Sequence, residues 1–410
     1  MSHNASKDFL AHLHSLYEGK KETSFGRIQT QCWERFCSEG LPTKQKAGYR
    51  HMRLRDLYSQ KPHLTVATKG ISQEAALQFV NGSYIESPHL PKGALIMPLS
   101  KALRTFGSYL QTRFEKHSSF AALNAALFQE GLFIYLPPKC ILEEPLKIVH
   151  HYEENSPLSI VAPRIHVFAG AESKCAIFLS DVNRKASTWN NGVIDLYLEK
   201  KACVDLNILT FQNEETFHTE ALTANLQSES SLSVFALMDG AKAARKDFQV
   251  TLEGERANAS LKGLWLLNSK RESHVNVFMD HAAPHTYSSQ KFKGALTDFA
   301  RSSFEGKIFV RDNALKTEAF QANHNLILSE TALCYTQPNL EIFADDVKAS
   351  HGATCGTLNQ DHLFYLKTRG MEEKVAKKLL LGGFCNEMIE SITSSEMRNC
   401  AKRFSQDVFV

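Results

Sequence analysis

The sequence lacks apolar runs of the roughly 20 residues that a membrane-spanning helix needs. Its first residues also lack the basic, apolar and small-residue pattern of a secretion signal. Nine cysteines are present, an odd number that excludes complete internal pairing, and no two of them form a C-x-x-C motif. These absences predict a cytoplasmic protein with free thiols and no membrane segment.

An excess of charge of one sign is missing too. The net charge is +3, and the basic residues are scattered apart from the short run 374–378, which is typical of a solvated helix face. We therefore expect no nucleic-acid partner. The chain has 43% hydrophobic and 22% charged residues, which excludes global disorder, and its 410 residues predict two or three domains.

Several enzyme motifs are absent as well. The chain has no G-x-x-x-x-G-K-[ST] phosphate loop, no G-x-G-x-x-G turn after a strand, no H-E-x-x-H metal motif and no G-x-S-x-G nucleophile elbow. The chain itself should therefore not hydrolyse ATP by P-loop chemistry. The remaining candidates for chemistry are clusters of histidine, cysteine and carboxylate residues.

Hydrophobic periodicity predicts three domains. Residues 1–130 form a mostly helical N-terminal domain, residues 131–356 form a β-helix core, and residues 357–410 form a C-terminal helical segment. Residues 70–80 are a weaker helix candidate. Gly382 and Gly383 are predicted to interrupt the C-terminal helices.

The central region repeats. Four strand patterns start at residues 176, 204, 232 and 259, so the period is 28, 28 and 27 residues. A fixed period with one strand pattern per repeat is typical of a stacked-strand array. Few Asn-Gly or Asp-Gly hairpin signals occur, which favours a β-helix over an antiparallel β-sandwich. The open edges of such a stack must be covered, and we expect the flanking helical regions to cap them.

One cluster of titratable residues comprises His274, Asp280, His281 and His285. Of these, Asp280, His281 and His285 could supply acid and base groups to a β-helix enzyme that acts on a carbohydrate or acyl substrate. Because Pro284 makes this segment a loop, strand-end histidines bonded to neighbouring backbone are the simpler interpretation. No paired-carboxylate signal supports the enzyme hypothesis, which stays an alternative.

A second cluster comprises Asp345, Asp346, His351 and Cys355. Imidazole, carboxylate and thiolate are the usual ligands for iron and zinc. No second Cys/His pair lies at ligand spacing, so a metal site here would need residues from another chain. Residues 350–354 have neither helical nor strand periodicity. We therefore expect residues 340–348 to be the last coil of the β-helix and residues 349–356 to be a loop after it.

Six stretches resemble the SufB/SufD family of iron–sulfur cluster assembly proteins, and together they are far more specific than any one alone. They are ARSSFEGK (300–307), KTEAFQ (316–321), NHNLILS (323–329), PNLEIFADDVK (338–348), SHGAT (350–354) and LFYLKTRG (363–370). The resemblance is dense from about residue 280 to residue 387. The shorter chain, without a cysteine-rich N-terminal extension, is more similar to SufD than to SufB.

The resemblance implies a right-handed parallel β-helix flanked by helical domains, which agrees with the period. It also implies a non-catalytic scaffold that pairs with a SufB-like subunit through the core and binds a SufC-like ABC ATPase through the C-terminal helices. An iron–sulfur cluster would form transiently at the interface with the SufB-like subunit, with no cofactor on the isolated chain. Flavin binding by the complex and self-association of the chain are left open.

The resemblance also implies roles for individual residues. His351 matches the family's interface histidine, which is implicated in cluster formation. Many relatives carry a cysteine two positions earlier, where this chain has Ala349, so a thiolate on this side would need another residue. Cys355 stands where valine is common, as either a substitute ligand or a small buried apolar residue. The implied contacts with the ATPase subunit are Leu363, Phe364, Tyr365, Leu366, Arg369 and Gly370.

Overall fold

The structure, a computed structural model, describes residues 2–19, 24–46, 48–65, 76–87, 90–114, 118–153 and 158–407. Its helices are α1 (Ser2–Glu18), α2 (Gly26–Glu39), α3 (Leu54–Tyr58), α4 (Leu99–Phe114), α5 (Ser119–Leu127), α6 (Gln360–Thr368), α7 (Glu373–Glu390) and α8 (Ser395–Asp407). No helix in these ranges is long and apolar enough to span a lipid bilayer.

The strands become longer and more regular from β9 onward. They are β1 (His63–Leu64), β2 (Leu77–Val80), β3 (Ser83–Ile85), β4 (Leu95–Pro98), β5 (Leu132–Leu136), β6 (Leu146–His151), β7 (Ser159–Val161), β8 (Arg164–Ala169), β9 (Lys174–Asn183), β10 (Thr188–Leu198), β11 (Cys203–Gln212), β12 (Phe217–Leu226), β13 (Ser231–Met238), β14 (Ala243–Leu252), β15 (Asn258–Leu267), β16 (Glu272–His281), β17 (Tyr287–Leu296), β18 (Arg301–Val310), β19 (Thr317–Ile327), β20 (Leu333–Ile342) and β21 (Val347–Gly356).

These strands wind into a β-helix, which confirms the predicted fold class. An 11-stranded sheet has the order β20-β18-β16-β14-β12-β10-β8-β5-β4, with β1 and β7 beside it. A 10-stranded sheet has the order β21-β19-β17-β15-β13-β11-β9-β6-β2-β3. Successive coils pair in parallel, and Cys203 lies between Lys174 and Ser231 in register, at steps of 29 and 28 residues. The repeat in the sequence is therefore one coil of the β-helix.

The lumen, defined as the space between the two sheets, holds the largest apolar core. Alternate side chains of each strand point into it. Leu206, Val234 and Leu261 occupy one register position on three successive coils and are almost fully buried. Stacked apolar ladders of this kind remove area from water at every coil, so each coil stabilises its neighbours.

The flanking helices pack against the outer faces of the two sheets. Phe9 of α1 and Trp33 of α2 belong to an apolar cluster with Trp189 of the 11-stranded sheet. Met388 of α7 belongs to a second cluster with Phe211 of the 10-stranded sheet. Both sheets are thus covered on their outer faces by helices, as parallel sheets usually are.

The two ends of the β-helix differ. At the N-terminal end, β3 pairs antiparallel with β2 and β4 pairs antiparallel with β5, so both sheets are closed by a reversed strand. At the C-terminal end, β20 and β21 are the last strands of their sheets, and within the described ranges no further strand pairs with them. The expectation that helices cap both edges is therefore wrong at this end, because the C-terminal helices cover a face instead.

Several local predictions are also wrong. Residues 77–80, in the weaker helix candidate, form strand β2 because they pair with β6; residues 70–75 lie outside the described ranges. Helix α7 continues through Gly382 and Gly383, since packing against the sheet outweighs the low helix propensity of two glycines. The predicted loop 349–356 belongs to strand β21. The elements change type near residues 131 and 357, while the division into domains stays a prediction.

Candidate functional site at the open end of the β-helix

His351 lies in the middle of the edge strand β21, where it is exposed. It pairs in register with Gln321 of β19, a lumen residue that is 3% exposed. On the same face of β21, Val347 and Ala349 pack against the apolar core of the lumen. Because side chains alternate along a strand, the His351 imidazole faces the mouth of the lumen.

The lumen changes from apolar to polar just before this mouth. In the column that ends at His351, Leu261 is followed by Gln290 and Gln321 on the next two coils. The Gln321 Nε2 donates a 3.1 Å hydrogen bond to the Gln290 Oε1. A Cβ at Gly306 would overlap the Gln321 amide, so the glycine makes room for this ladder. The imidazole therefore has two stacked amides beneath it instead of aliphatic side chains.

A pair of cysteines forms a second feature of the mouth. Cys355 of β21 and Cys334 of β20 share a hydrogen bond with their sulfur atoms 3.3 Å apart. Sharing a proton in this way lowers the pKa of the Cys355 thiol, whereas it and burial raise the pKa of Cys334. The buried Asn325 lies in register with Cys355, and its Nδ2 donates to the Cys355 sulfur at 4.0 Å.

Sequence reasoning missed Cys334. It lies in a different strand from Cys355, and no spacing motif joins them. The pair becomes visible only through the register, which aligns Cys334 with Ser302 in one sheet and Cys355 with Asn325 in the other. Both cysteines then sit on lumen-facing positions of the last coil.

The second predicted cluster is not assembled as one site. His351 and Cys355 are four residues apart on one strand, which separates their backbones by about 13 Å. Asp345 and Asp346 are exposed between β20 and β21. One metal ion therefore cannot bind all four residues, and the potential ligand beside Cys355 is Cys334, from outside the cluster.

The first predicted cluster is also separated. The Asp280 carboxylate forms an ion pair with Arg311 at 2.6 Å. His281 is buried and bonded to the hydroxyls of Thr286 and Ser288, each at 2.8 Å. His285 is exposed in a turn, with a left-handed φ of 58°. Neighbouring strand residues point to opposite faces, so Asp280 and His281 do not form an acid–base pair.

Some of the predicted docking residues are buried and others are exposed. Leu363 is buried beneath α6, whereas Phe364 and Tyr365 are 69% and 56% exposed. Arg369 lies over the Tyr365 ring at 5.1 Å. Gly370 has a φ of 84°, a conformation that favours glycine in the turn into α7. Phe364, Tyr365 and Arg369 are thus exposed to a partner, whereas Leu363 holds the helix in place.

Leu366 completes the predicted docking set and is half-buried. On α7, which follows directly, Val375 and Leu379 are 49% and 53% exposed. We call the exposed apolar side chains of α6 and α7 the α6–α7 surface; they are Phe364, Tyr365, Val375 and Leu379.

A buried group of Asp181, His218 and Glu220 also has ligand atoms within 4.8 Å of one another. However, the Asp181 carboxylate already accepts hydrogen bonds from Tyr152, Asn190 and Gln212. Glu220 forms an ion pair with buried Lys246. A cation would displace these donors and meet a neighbouring ammonium group, so the network is structural.

Comparison with known proteins agrees with the resemblance in the motifs. A family model described as the SUF system FeS cluster assembly, SufBD core domain, matches residues 151–384. An iron–sulfur cluster assembly SufBD family protein of Synechocystis sp. is 30% identical over 305 residues, which cover 71% of this chain and 66% of that protein. The chloroplastic protein ABCI7 of Arabidopsis thaliana is 26% identical over 299 residues, or 70% and 62% of the two chains.

The iron–sulfur cluster assembly protein SufD of Escherichia coli is 28% identical over 190 residues, which cover 46% of this chain and 45% of that protein. The matched stretches thus span between 45% and 66% of these three relatives. The family model covers more than half of the chain and runs from β6 into α7, so it includes the polar mouth and α6. This chain belongs to the SufB/SufD family of SUF iron–sulfur cluster assembly proteins.

Proposed function

We propose that this chain is a non-catalytic scaffold subunit of an iron–sulfur cluster assembly complex. It pairs with a SufB-like subunit through the open end of its β-helix and docks a SufC-like ABC ATPase through the α6–α7 surface. The observation that carries the proposal is the last coil, where the outer edges of β20 and β21 pair with no further strand among the described residues.

Unpaired strand edges are a liability that proteins usually cover or shorten. Strand β21 is ten residues long, ends its sheet and contains no proline. Strand β20 contains Pro338, which lacks an N–H and is typical of edge strands. A partner β-helix that adds a strand to β21 would satisfy its free backbone groups and continue the lumen across the interface.

The cluster is the cargo of this complex and is shared with the partner. His351 supplies an imidazole nitrogen from the mouth of the lumen, and imidazole suits iron. The hydrogen-bonded amides of Gln290 and Gln321 lie beneath the imidazole and add no charge to the mouth of the lumen. The chain then contributes a ligand but no catalytic group, and the SufB-like subunit contributes the remaining ligands.

A reconstituted complex tests the role of His351. His351→Ala should leave complex formation intact, because the side chain is exposed, and reduce cluster formation on the order of tenfold or more. The complex is assembled with SufB-like and SufC-like subunits from the same genome, and the cluster is followed by its visible absorption after anaerobic addition of iron and a sulfur donor.

The matched control is His285→Ala, which removes another exposed imidazole at a turn far along the chain from β21. The control should assemble clusters as the unaltered chain does. A normal cluster yield from His351→Ala would contradict the role of this histidine. Failure of the unaltered chain to bind either partner would contradict the scaffold function itself.

A further inference from the structure

The cysteine pair at the mouth has the geometry of a metal-binding dithiol. The sulfurs of Cys334 and Cys355 lie 3.3 Å apart. Two thiolates on one tetrahedral ion, with bonds of about 2.3 Å, stand about 3.8 Å apart, whereas a disulfide requires about 2.05 Å. An opening of about half an ångström would therefore let both sulfurs bind one ion.

An unpartnered polar atom lies on the same strand face as one of the two thiols. Thr336, two residues beyond Cys334 on the same face of β20, has a buried Oγ1 with no hydrogen-bond partner among the described residues. Asn325 is 2% exposed; its Nδ2 donates to the Cys355 sulfur, while its Oδ1 faces Gly294 and the Trp265 indole on the preceding coil. Buried polar atoms are nearly always satisfied, so the unpartnered hydroxyl of Thr336 indicates room for a ligand on this face.

The space around Asn325 is built for this side chain. Gly294 lies in register with Asn325 on the preceding coil. A Cβ at Gly294 would approach the Asn325 Oδ1 to 2.5 Å and overlap the Trp265 indole. Glycine at this position keeps the amide in the lumen, directly beneath Cys355.

We propose that Cys334 and Cys355 form a dithiolate site for a thiophilic divalent metal ion, with the Asn325 amide nitrogen donating a hydrogen bond to the Cys355 sulfur. Soft thiolate ligands select zinc and iron over magnesium and calcium. Cys355 is exposed at the last coil, so the remaining coordination positions open towards solvent or a partner chain. That the ion in the cell is ferrous iron rests on the proposed function; the site itself rests on the geometry.

The site supplies the sulfur donors that Ala349 cannot. Cys355 lies six residues after Ala349 on β21, on the same face of the strand. Iron held at this end of the mouth would lie on the opposite side of His351 from Ala349. The dithiol and the imidazole therefore form two separate binding points along one strand, and loss of one leaves the other in place.

Titration of the reduced full-length chain with Co²⁺ under anaerobic conditions tests the site directly. The unaltered chain should bind one Co²⁺ with the intense near-ultraviolet charge-transfer band of thiolate ligands. Cys334→Ser and Cys355→Ser should each lose at least half of that intensity and bind on the order of tenfold more weakly. Cys400→Ser, which alters another half-buried cysteine, should behave as the unaltered chain does.

A second measurement uses the unaltered chain, so it does not depend on whether the variants fold. Bound Co²⁺ should slow alkylation of Cys355 in the unaltered chain by tenfold or more, as read by mass spectrometry. Absence of the charge-transfer band in the unaltered chain, or a band of unchanged intensity in Cys355→Ser, would overturn the proposal. These outcomes concern the isolated chain, so they are independent of whether the chain binds SufB-like and SufC-like subunits.

Discussion

At the residue scale, the lumen-facing positions of the last three coils set the chemistry of the open end. The column Leu261, Gln290, Gln321 and His351 changes from aliphatic to amide to imidazole over successive coils. A solenoid buries its interior by stacking, and only the last coil leaves lumen side chains accessible. The position of His351 in this column, more than its neighbours in sequence, makes it a candidate ligand.

Buried His281 predicts a dependence of stability on pH. Burial lowers the pKa of His281 to about 4, below its ordinary value of 6.5. Between these values the unfolded chain binds a proton that the folded chain does not, so stability falls as the pH drops through this window. The contribution lost between about pH 7 and about pH 5 is about 2 kcal/mol.

His281→Gln should flatten the fall in unfolding free energy between these pH values, as measured by urea unfolding. The exposed His285→Gln is the control and should keep the slope of the unaltered chain. An unchanged slope in His281→Gln would show that this imidazole does not contribute to the acid sensitivity.

At the scale of single elements, β21 and α6 each combine side chains that pack against the core with side chains that are exposed. The first part of β21 packs against the lumen core through Val347 and Ala349, and the rest presents polar side chains at the mouth. Helix α6 is capped by Asn359, whose side chain accepts a hydrogen bond from the His362 N–H at 3.0 Å. It is held by buried Leu363 and half-buried Leu366, while its other side chains are exposed.

Substitutions in α6 should separate docking from packing. Phe364→Ala and Tyr365→Ala remove exposed aromatic surface, so they should weaken binding of the ATPase subunit by about 1–3 kcal/mol each and leave stability unchanged. Leu363→Ala should instead lower the free energy of unfolding by about 2–4 kcal/mol, because the side chain is buried. Calorimetric titration and thermal unfolding measure the two effects.

The matched control is Phe299→Ala, which removes a phenylalanine that is 56% exposed in the turn between β17 and β18. Its affinity for the ATPase subunit should equal that of the unaltered chain. Equal loss of affinity in Phe299→Ala and Phe364→Ala would show that α6 is not the docking element.

At the scale of the whole molecule, the described helices cover the outer faces of the two sheets and not the last coil. Since α7 and α8 share an apolar cluster with the 10-stranded sheet, the C-terminal segment is part of the fold as well as a docking element. Removing it would expose aromatic and aliphatic side chains along the outer face of that sheet.

A chain that ends at Gly356 should therefore lose more than the ATPase contact. We expect aggregation and a lower thermal midpoint, because residues such as Phe211 and Leu237 would lose the cover of α7 and α8. Size-exclusion chromatography and thermal unfolding provide the measurement. Met388→Ala is the milder companion and should cost about 2–4 kcal/mol, since Met388 is 1% exposed. A monodisperse truncated chain with an unchanged midpoint would contradict this prediction.

The sequence by itself determined the β-helix, because its repeat of 27 or 28 residues is close to the length of one coil and corresponds to register pairs such as Cys203 with Ser231. It also determined the family, because the motifs between 300 and 370 are specific when combined. His351 was identified by the resemblance, because a single histidine between small residues forms no spacing pattern that would mark it as a ligand.

Only the tertiary structure decided what lies at the open end. Residues 349–356 pair with β19 although their sequence has no strand period, because a strand whose lumen side is partly polar and exposed needs no apolar alternation. Cys334 and Cys355 lie in different sheets, and only the winding of the coil brings them together. Long-range register of this kind depends on every preceding coil, which local sequence patterns do not encode.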